Sequence, residues 1–321
     1  MHSFKELSEK FADYFKTRIF PDEPATLYEP SAYFLSLGGK RIRPAMCLMG
    51  NELFGDIHPE TYHLSAAIEL FHNFTLVHDD IMDNAALRRG MPTVHEKYGS
   101  STALLSGDIM IIAAYEQLNQ IKSVSLHQIM SLFTRTAREV CEGQQLDMDF
   151  EKMDKVSTEQ YIRMIELKTS VLLAASLSLG AIMGGASKGN LDHIYEFGRN
   201  LGIAFQVQDD YLDAFGDPQK FGKEKGGDIR QNKKTFLLIH ALEHSTTTQQ
   251  NRLLTVMKEN PADKVEQVLA IYRDCNVAEW ALKLKNEYVE KAERHLENIA
   301  VLSSRKSPLR ELSGFLVQRE Y

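Results

Sequence analysis

The sequence predicts an all-α protein. Apolar residues recur at helical spacing in several long stretches, alternating runs of β-branched residues are missing, and Gly and Pro gather in only a few places. The opening MHSFKELSEKFADYF reads as an amphipathic helix with charges of both signs, without the apolar core of a signal peptide. The Gly-rich turn GGKRIRP follows at 38–44. Residues 62–83 set Leu64, Ile68, Phe71 and Thr75 at helical spacing, and 101–118, 126–150, 158–184 and 190–215 read as further long helices. The tail 261–300 is amphipathic and more polar. RRGMPT at 88–93 and GDPQKFGKEKGGD at 216–228 mark turns, and no linker-like segment divides the chain. The expectation is one domain, residues 1–321, of about ten or more helices.

The 321 residues are 43% hydrophobic and 25% charged, in the soluble globular range. The net charge of -7 argues against a general nucleic-acid partner, so an anionic ligand would need local basic clusters. Cys47, Cys141 and Cys275 form neither a zinc spacing nor a disulfide framework; a reducing, cytoplasmic setting with buried thiols is expected. SVLLAASLSLGAIMGGAS, residues 170–187, is uncharged and just long enough to span a bilayer. Its four serines and three glycines, with Lys168 beside it, favour a buried core helix over an integral membrane segment.

The chemistry gathers at LVHDDIMDNAALRRG, residues 76–90. At about 100° per residue, Asp79 and Asp83 share a helix face with His72. Two carboxylates one turn apart suit Mg²⁺, which takes oxygen ligands and shares itself with phosphates. A solvated acidic helix end is the competing reading of a single motif. The DDxxD spacing recurs, however, in FQVQDDYLDAFGD as Asp209, Asp210 and Asp213, with Gln206 on the same face. Two carboxylate groups at the mouth of one bundle would repel unless cations bridged them.

Metal alone leaves the basic residues unexplained. Lys40, Arg41 and Arg43 lie in the first Gly-rich turn, and Arg88 and Arg89 follow the first motif. Lys220, Lys223, Lys225, Arg230, Lys233 and Lys234 follow the second. Arg offers phosphate oxygens a fork and Lys a point charge. Aspartates, Mg²⁺ and these cations together describe a polyphosphate site.

GGKRIRP, HDDIMDNAALRRGMPTVH, EGQQLD, LKT at 167–169, FQVQDDYLD and GDIRQNKKT at 227–235 occur in the order found in the trans-isoprenyl diphosphate synthases (polyprenyl synthetases), and over residues 38–235 the chain resembles that family. The resemblance implies the isoprenoid synthase fold, a single large helical bundle with a central cavity, and a homodimer. It implies Mg²⁺-dependent head-to-tail condensation of isopentenyl diphosphate with dimethylallyl, geranyl or farnesyl diphosphate, with three ions per site and Mn²⁺ as a substitute. It makes Asp79, Asp83 and Asp209 metal ligands, with Asp80, Asp210 and Asp213 in support. Lys40, Arg43, His72 and Arg89 match isopentenyl diphosphate contacts; Arg88, Lys168, Lys223 and Lys233 match contacts to the allylic diphosphate. Thr169, Gln206 and the Lys168 carbonyl would face the allylic cation, and the lysine-rich loop after Asp213 resembles a lid.

Two rivals share parts of this pattern. A class I terpene cyclase normally mixes Asn, Ser or Thr with Glu in its second metal motif, where this chain has DDYLD. A non-catalytic regulatory subunit typically lacks aspartates or basic contacts that are all present here. For product length, helical geometry singles out Phe71, about 80° from Asp79, or leaves both rings as ordinary core. The resemblance points instead to Phe74, with Thr75 as its small neighbour and no insertion in DDIMD, and implies a C20 product, with C15 next.

Overall fold

In the computed structural model, the described residues are 1–16, 20–217 and 225–317. They form sixteen α-helices and one two-strand hairpin. The helices are α1 (Phe4–Phe15), α2 (Ala25–Ser36), α3 (Ile42–Phe54), α4 (Thr61–Met82), α5 (Val94–Tyr98), α6 (Ser100–Leu118), α7 (Leu126–Lys152), α8 (Thr158–Ile165), α9 (Val171–Met183) and α10 (Lys188–Phe215). They continue as α11 (Gly227–Arg230), α12 (Phe236–His244), α13 (Thr247–Glu259), α14 (Lys264–Asp274), α15 (Val277–Asn298) and α16 (Ser303–Val317). Strands β1 (Leu87–Arg88) and β2 (Met91–Pro92) pair antiparallel.

The expected helices appear with two departures. The run 158–184 is interrupted by a π-helical turn, Glu166–Ser170, between α8 and α9. The tail divides into α14 and α15 at Asn276, whose φ of 51° breaks the helix. Two compact units are distinguished: Met1–Thr134 with Ala175–Leu191 and Ala300–Pro308, and Arg135–Ala174 with Asp192–Ile299 and Leu309–Tyr321.

In the first unit the core holds Phe11, Phe34, Met46, Leu64, Ile68 and Phe71. The small residues of the uncharged stretch now have a reason. A Cβ on Gly180 of α9 would lie 1.8 Å from the Cys47 carbonyl oxygen of α3, and one on Gly50 of α3 would lie 2.1 Å from the Leu177 carbonyl oxygen. Only hydrogen lets these two backbones approach so closely. The segment Thr158–Met183 is long and apolar enough to cross a membrane, but 83% of its most apolar window is buried in the protein, as expected of a core helix. In the second unit Phe150, Tyr161, Val207, Phe236, Leu253 and Tyr272 belong to one core cluster. Of the thiols expected to be buried, only Cys47 is; Cys141 is exposed and Cys275 half-buried, because α7 turns Cys141 away from the core.

Candidate active site

In the first unit a cationic cluster is built on strained turns. Gly38 and Gly39 lead out of α2 with φ of 78° and 143°, and Arg41 adopts a left-handed φ of 49° before α3 begins. That conformation costs an L-residue energy and persists where contacts fix it. The Arg41 guanidinium pairs with Glu69, donates to the Leu35 carbonyl at 3.1 Å and lies 5.3 Å over the Phe15 ring. Arg89 and Gly90, with φ of 54° and 78°, form the two-residue turn between β1 and β2, the pattern of a type I′ hairpin. Arg89 donates to the Gly38 carbonyl, so the hairpin rests on the Gly-rich turn. Arg88 grips the buried Asp80 carboxylate through Nε at 2.8 Å and Nη2 at 2.7 Å. Asp80 therefore has a guanidinium for a partner, and it anchors a residue matched to the allylic diphosphate.

Arg43, in the first turn of α3, donates through Nη1 to His72 Nε2 at 3.1 Å. Burial, then Arg43, Arg89, Arg88 and Arg41, hold the His72 pKa well below 6.5, so the ring is neutral and accepts this bond. Burial also lowers the Arg43 pKa to about 10, against the pull of Glu69. Among the described residues Arg43 Nε has no hydrogen-bond partner. A buried guanidinium with an unused donor is suited to an anion. The Lys40 side chain is exposed.

Asp79 is half-buried in the last turn of α4, and the exposed Asp83 caps it, its N–H bonded to the Asp79 carbonyl at 2.8 Å. Both carboxylates sit where the helix dipole is negative, which disfavours them unless a cation is near. Asp209 and Asp213 occupy the corresponding last turns of α10. Among the described residues no three His, Cys, Asp or Glu side chains converge into a ready-made metal cage. An all-carboxylate donor set of this openness fits Mg²⁺, which is usually held by one or two carboxylates plus water and substrate oxygens. Upstream, Phe71 is 1% exposed and packs edge-on against Phe133. Phe74 is half-buried, its ring 5.7 Å from Phe71 and 4.7 Å from His78. The Thr75 hydroxyl is turned back onto the His72 carbonyl at 2.8 Å.

In the second unit a cavity of about 210 Å³ brings together Lys168, Thr169, Gln206, Asp209, Asp210, Asp213 and Lys233. The π turn presents the first two. It lies so close to α7 that a Cβ on Gly143 would meet the Lys168 backbone nitrogen at 2.2 Å. The Lys168 ammonium pairs with Asp147 at 2.6 Å, and the Thr169 hydroxyl donates to Gln206 Oε1 at 3.4 Å. Asp210 accepts from Tyr161 at 2.6 Å and from Gln206 Nε2 at 2.9 Å. Burial first, then Asp228, raises its pKa well above 3.8, and both hydrogen bonds oppose that rise. Asp213 accepts from the Asp228 backbone N–H at 3.0 Å and so caps α11. Lys233 lies 3.7 Å from Asp228. Lys223, and with it the lysine loop compared to a lid, lies outside the described residues.

A polyprenyl synthetase family model matches residues 24–275. The chain belongs to the polyprenyl synthetase family. A geranylgeranyl diphosphate synthase of Methanosarcina mazei is 36% identical over 302 residues, 93% of this chain and 91% of the relative. A crystal structure of a geranylgeranyl pyrophosphate synthase superposes with a TM-score of 0.92 at 42% identity, covering 100% of both chains. The geranylgeranyl pyrophosphate synthetase of Pyrococcus horikoshii gives 0.93 at 34%, covering 99% and 98%. The fold is thus that of the isoprenoid synthases, and the protein is a trans-prenyltransferase. The cyclase and regulatory-subunit readings are not favoured.

Set against this polyprenyl synthetase site, residue-level reading passed over Asp147, Tyr161 and Asp228. Asp147 was within reach, because it closes the EGQQLD segment, and Gly143 in the same segment is the close-approach glycine. Tyr161 carried no signal: one aromatic at helical spacing reads as core until its hydroxyl is seen on Asp210. Lys234, grouped with the phosphate-binding lysines, donates instead to the Phe150, Glu151 and Met153 carbonyls at the end of α7.

Proposed function

We propose that this prenyltransferase condenses isopentenyl diphosphate with dimethylallyl, geranyl and farnesyl diphosphate in turn, releasing geranylgeranyl diphosphate. The observation that carries the chain length is Phe74, five residues before Asp79 and half-buried between Phe71 and His78. The family resemblance points to Phe74 as the tunnel floor, and Phe71, helical geometry's candidate, is packed in the core against Phe133. The geranylgeranyl names of the relatives support the same length.

Mg²⁺, three ions with Mn²⁺ as substitute, held by Asp79, Asp83 and Asp209, would neutralise the diphosphate as it departs. In the first unit Arg43, His72, Arg89 and Lys40 bind isopentenyl diphosphate, and Arg88, set by Asp80, serves the allylic diphosphate. In the second unit Lys168 and Lys233 do the same, joined by Lys223. As the allylic C1–O bond breaks, the Thr169 hydroxyl, the Gln206 amide oxygen and the Lys168 carbonyl stabilise the cation without attacking it. The isopentenyl double bond then attacks C1, and the released diphosphate accepts the C2 proton. Asp213 supports this arrangement by holding α11. The chain acts as a single cytoplasmic domain and as a homodimer. Leu104, Leu105, Ile112 and Tyr115, exposed along one side of α6, support self-association.

The test is product analysis of the purified protein alone, with isopentenyl diphosphate, Mg²⁺ and each of the three allylic starters. A C20 product is expected. Chains stopping at C15 or reaching C30 overturn the length assignment, and no product from any starter overturns catalysis by this chain alone.

A further inference from the structure

We propose that Asp210 and Tyr161 are positioning residues that fix the Gln206 amide with its oxygen, not its nitrogen, toward Thr169. The inference rests on the reading that Thr169 and Gln206 face the allylic cation.

An amide carries a donor at one end and an acceptor at the other, and its two orientations have nearly the same shape. Facing a carbocation, they have opposite effects: the oxygen stabilises the positive charge and the NH₂ group repels it. The pocket must therefore choose. Gln206 and Asp210 lie one turn apart on α10, with Nε2 2.9 Å from Asp210 Oδ1. With Asp210 Oδ2 already taking the Tyr161 hydroxyl, Oδ1 is the oxygen that faces Gln206 and accepts the amide nitrogen. The Gln206 oxygen is then left for the Thr169 hydroxyl at 3.4 Å.

Asp210 is itself held. It is 4% exposed, and its second oxygen takes the Tyr161 hydroxyl at 2.6 Å. Tyr161 is buried against the Phe236 ring at 6.0 Å, which fixes the phenol. Both Asp210 oxygens are thus engaged by protein donors, whereas its neighbour Asp209 is only half-buried. The middle aspartate of the second motif serves the amide, and a hydroxyl on α8 decides the sign of the dipole on α10.

The experiment is a double-mutant cycle of Tyr161→Phe with Gln206→Leu, reading kcat, KM for both diphosphates, half-saturating Mg²⁺ and Tm. The expected result is a loss of about 10-fold or more in kcat for Tyr161→Phe, since one misdirected dipole acts at the developing charge. KM values and the Mg²⁺ requirement should stay within about twofold, and Tyr161→Phe should cost nothing further once Gln206 is Leu. The inference is overturned by an unchanged kcat, by the same loss in both backgrounds, or by a raised Mg²⁺ requirement, which would place Tyr161 in support of the metal. Full kcat in Gln206→Leu alone would remove the underlying reading instead. Should Tyr161→Phe melt below the assay temperature, the cycle is run below its Tm with the wild type at the same temperature, and the same outcomes decide.

Discussion

The two units handle charge in opposite ways. In the first, the four guanidiniums of Arg41, Arg43, Arg88 and Arg89 act on His72, with Glu69 and Asp80 paired to Arg41 and Arg88, while Asp79 and Asp83 stand at the end of α4. In the second, the pocket gathers Asp147, Glu151, Asp209, Asp210, Asp213 and Asp228 against Lys168, Lys233 and Lys234, and the Lys234 amine is committed to backbone carbonyls. Two buried groups report the difference. Burial and arginines press the His72 pKa down, and burial and Asp228 push the Asp210 pKa up. The cations around His72 suit an anion, and the carboxylates of the second pocket, like Asp79 and Asp83 in the first unit, suit a divalent cation. Unpaired charge is costly in a partly buried site.

The largest effect should come from the aspartates of the two motifs, one motif in each unit. Asp209→Ala, like Asp79→Ala, is expected to lower turnover by several orders of magnitude with the far-UV circular dichroism unchanged, and excess chelator should abolish turnover. Near-normal rates in either variant would break the metal half of the comparison. On the cationic side, Arg43→Ala should raise KM for isopentenyl diphosphate about 10- to 100-fold, the worth of a charged hydrogen bond, with a smaller change for the allylic substrate. Equal changes for both substrates would mean the cluster does not discriminate. Phe74→Ala should leave the rate similar and lengthen the products beyond C20 in chromatography of the dephosphorylated alcohols. An unaltered distribution removes Phe74 as the floor.

The remaining effects are on stability. Gly143→Ala forces a methyl against the Lys168 backbone and should cost about 1–3 kcal/mol in denaturant unfolding, with kcat falling because Lys168 and Thr169 move. Wild-type stability with wild-type kcat would show that the close approach relaxes freely. For His72 the sign follows from its depressed pKa. Below pH 6.5 the unfolded chain binds a proton that the folded ring refuses, so stability falls as pH drops from 6.5 toward the folded pKa and is flat above it. The slope from this group is at most about 1.4 kcal/mol per pH unit, and it should vanish in His72→Gln. A slope unchanged by that substitution would place the effect elsewhere.

Much of this was written in the chain. Helical periodicity set the fold class and the ranges of the long helices α4, α6, α7 and α10, since burying one side of a helix imposes a local pattern. The doubled DDxxD spacing and the flanking basic residues gave the chemistry, because i and i+4 share a helix face wherever that helix lies. Tertiary structure decided the rest. The π turn at Glu166–Ser170 has no composition that marks it, and it lies against α7 at Gly143. The basic residues looked equivalent in sequence, but Lys234 binds carbonyls, Arg41 binds Glu69 and Arg88 binds Asp80. Asp209 and Asp210 are neighbours in sequence, yet their exposures differ, and only folding brings the Tyr161 hydroxyl to Asp210. A local spacing can state which residues share a face; which partner each side chain meets depends on segments far apart in the chain, and only their packing fixes it.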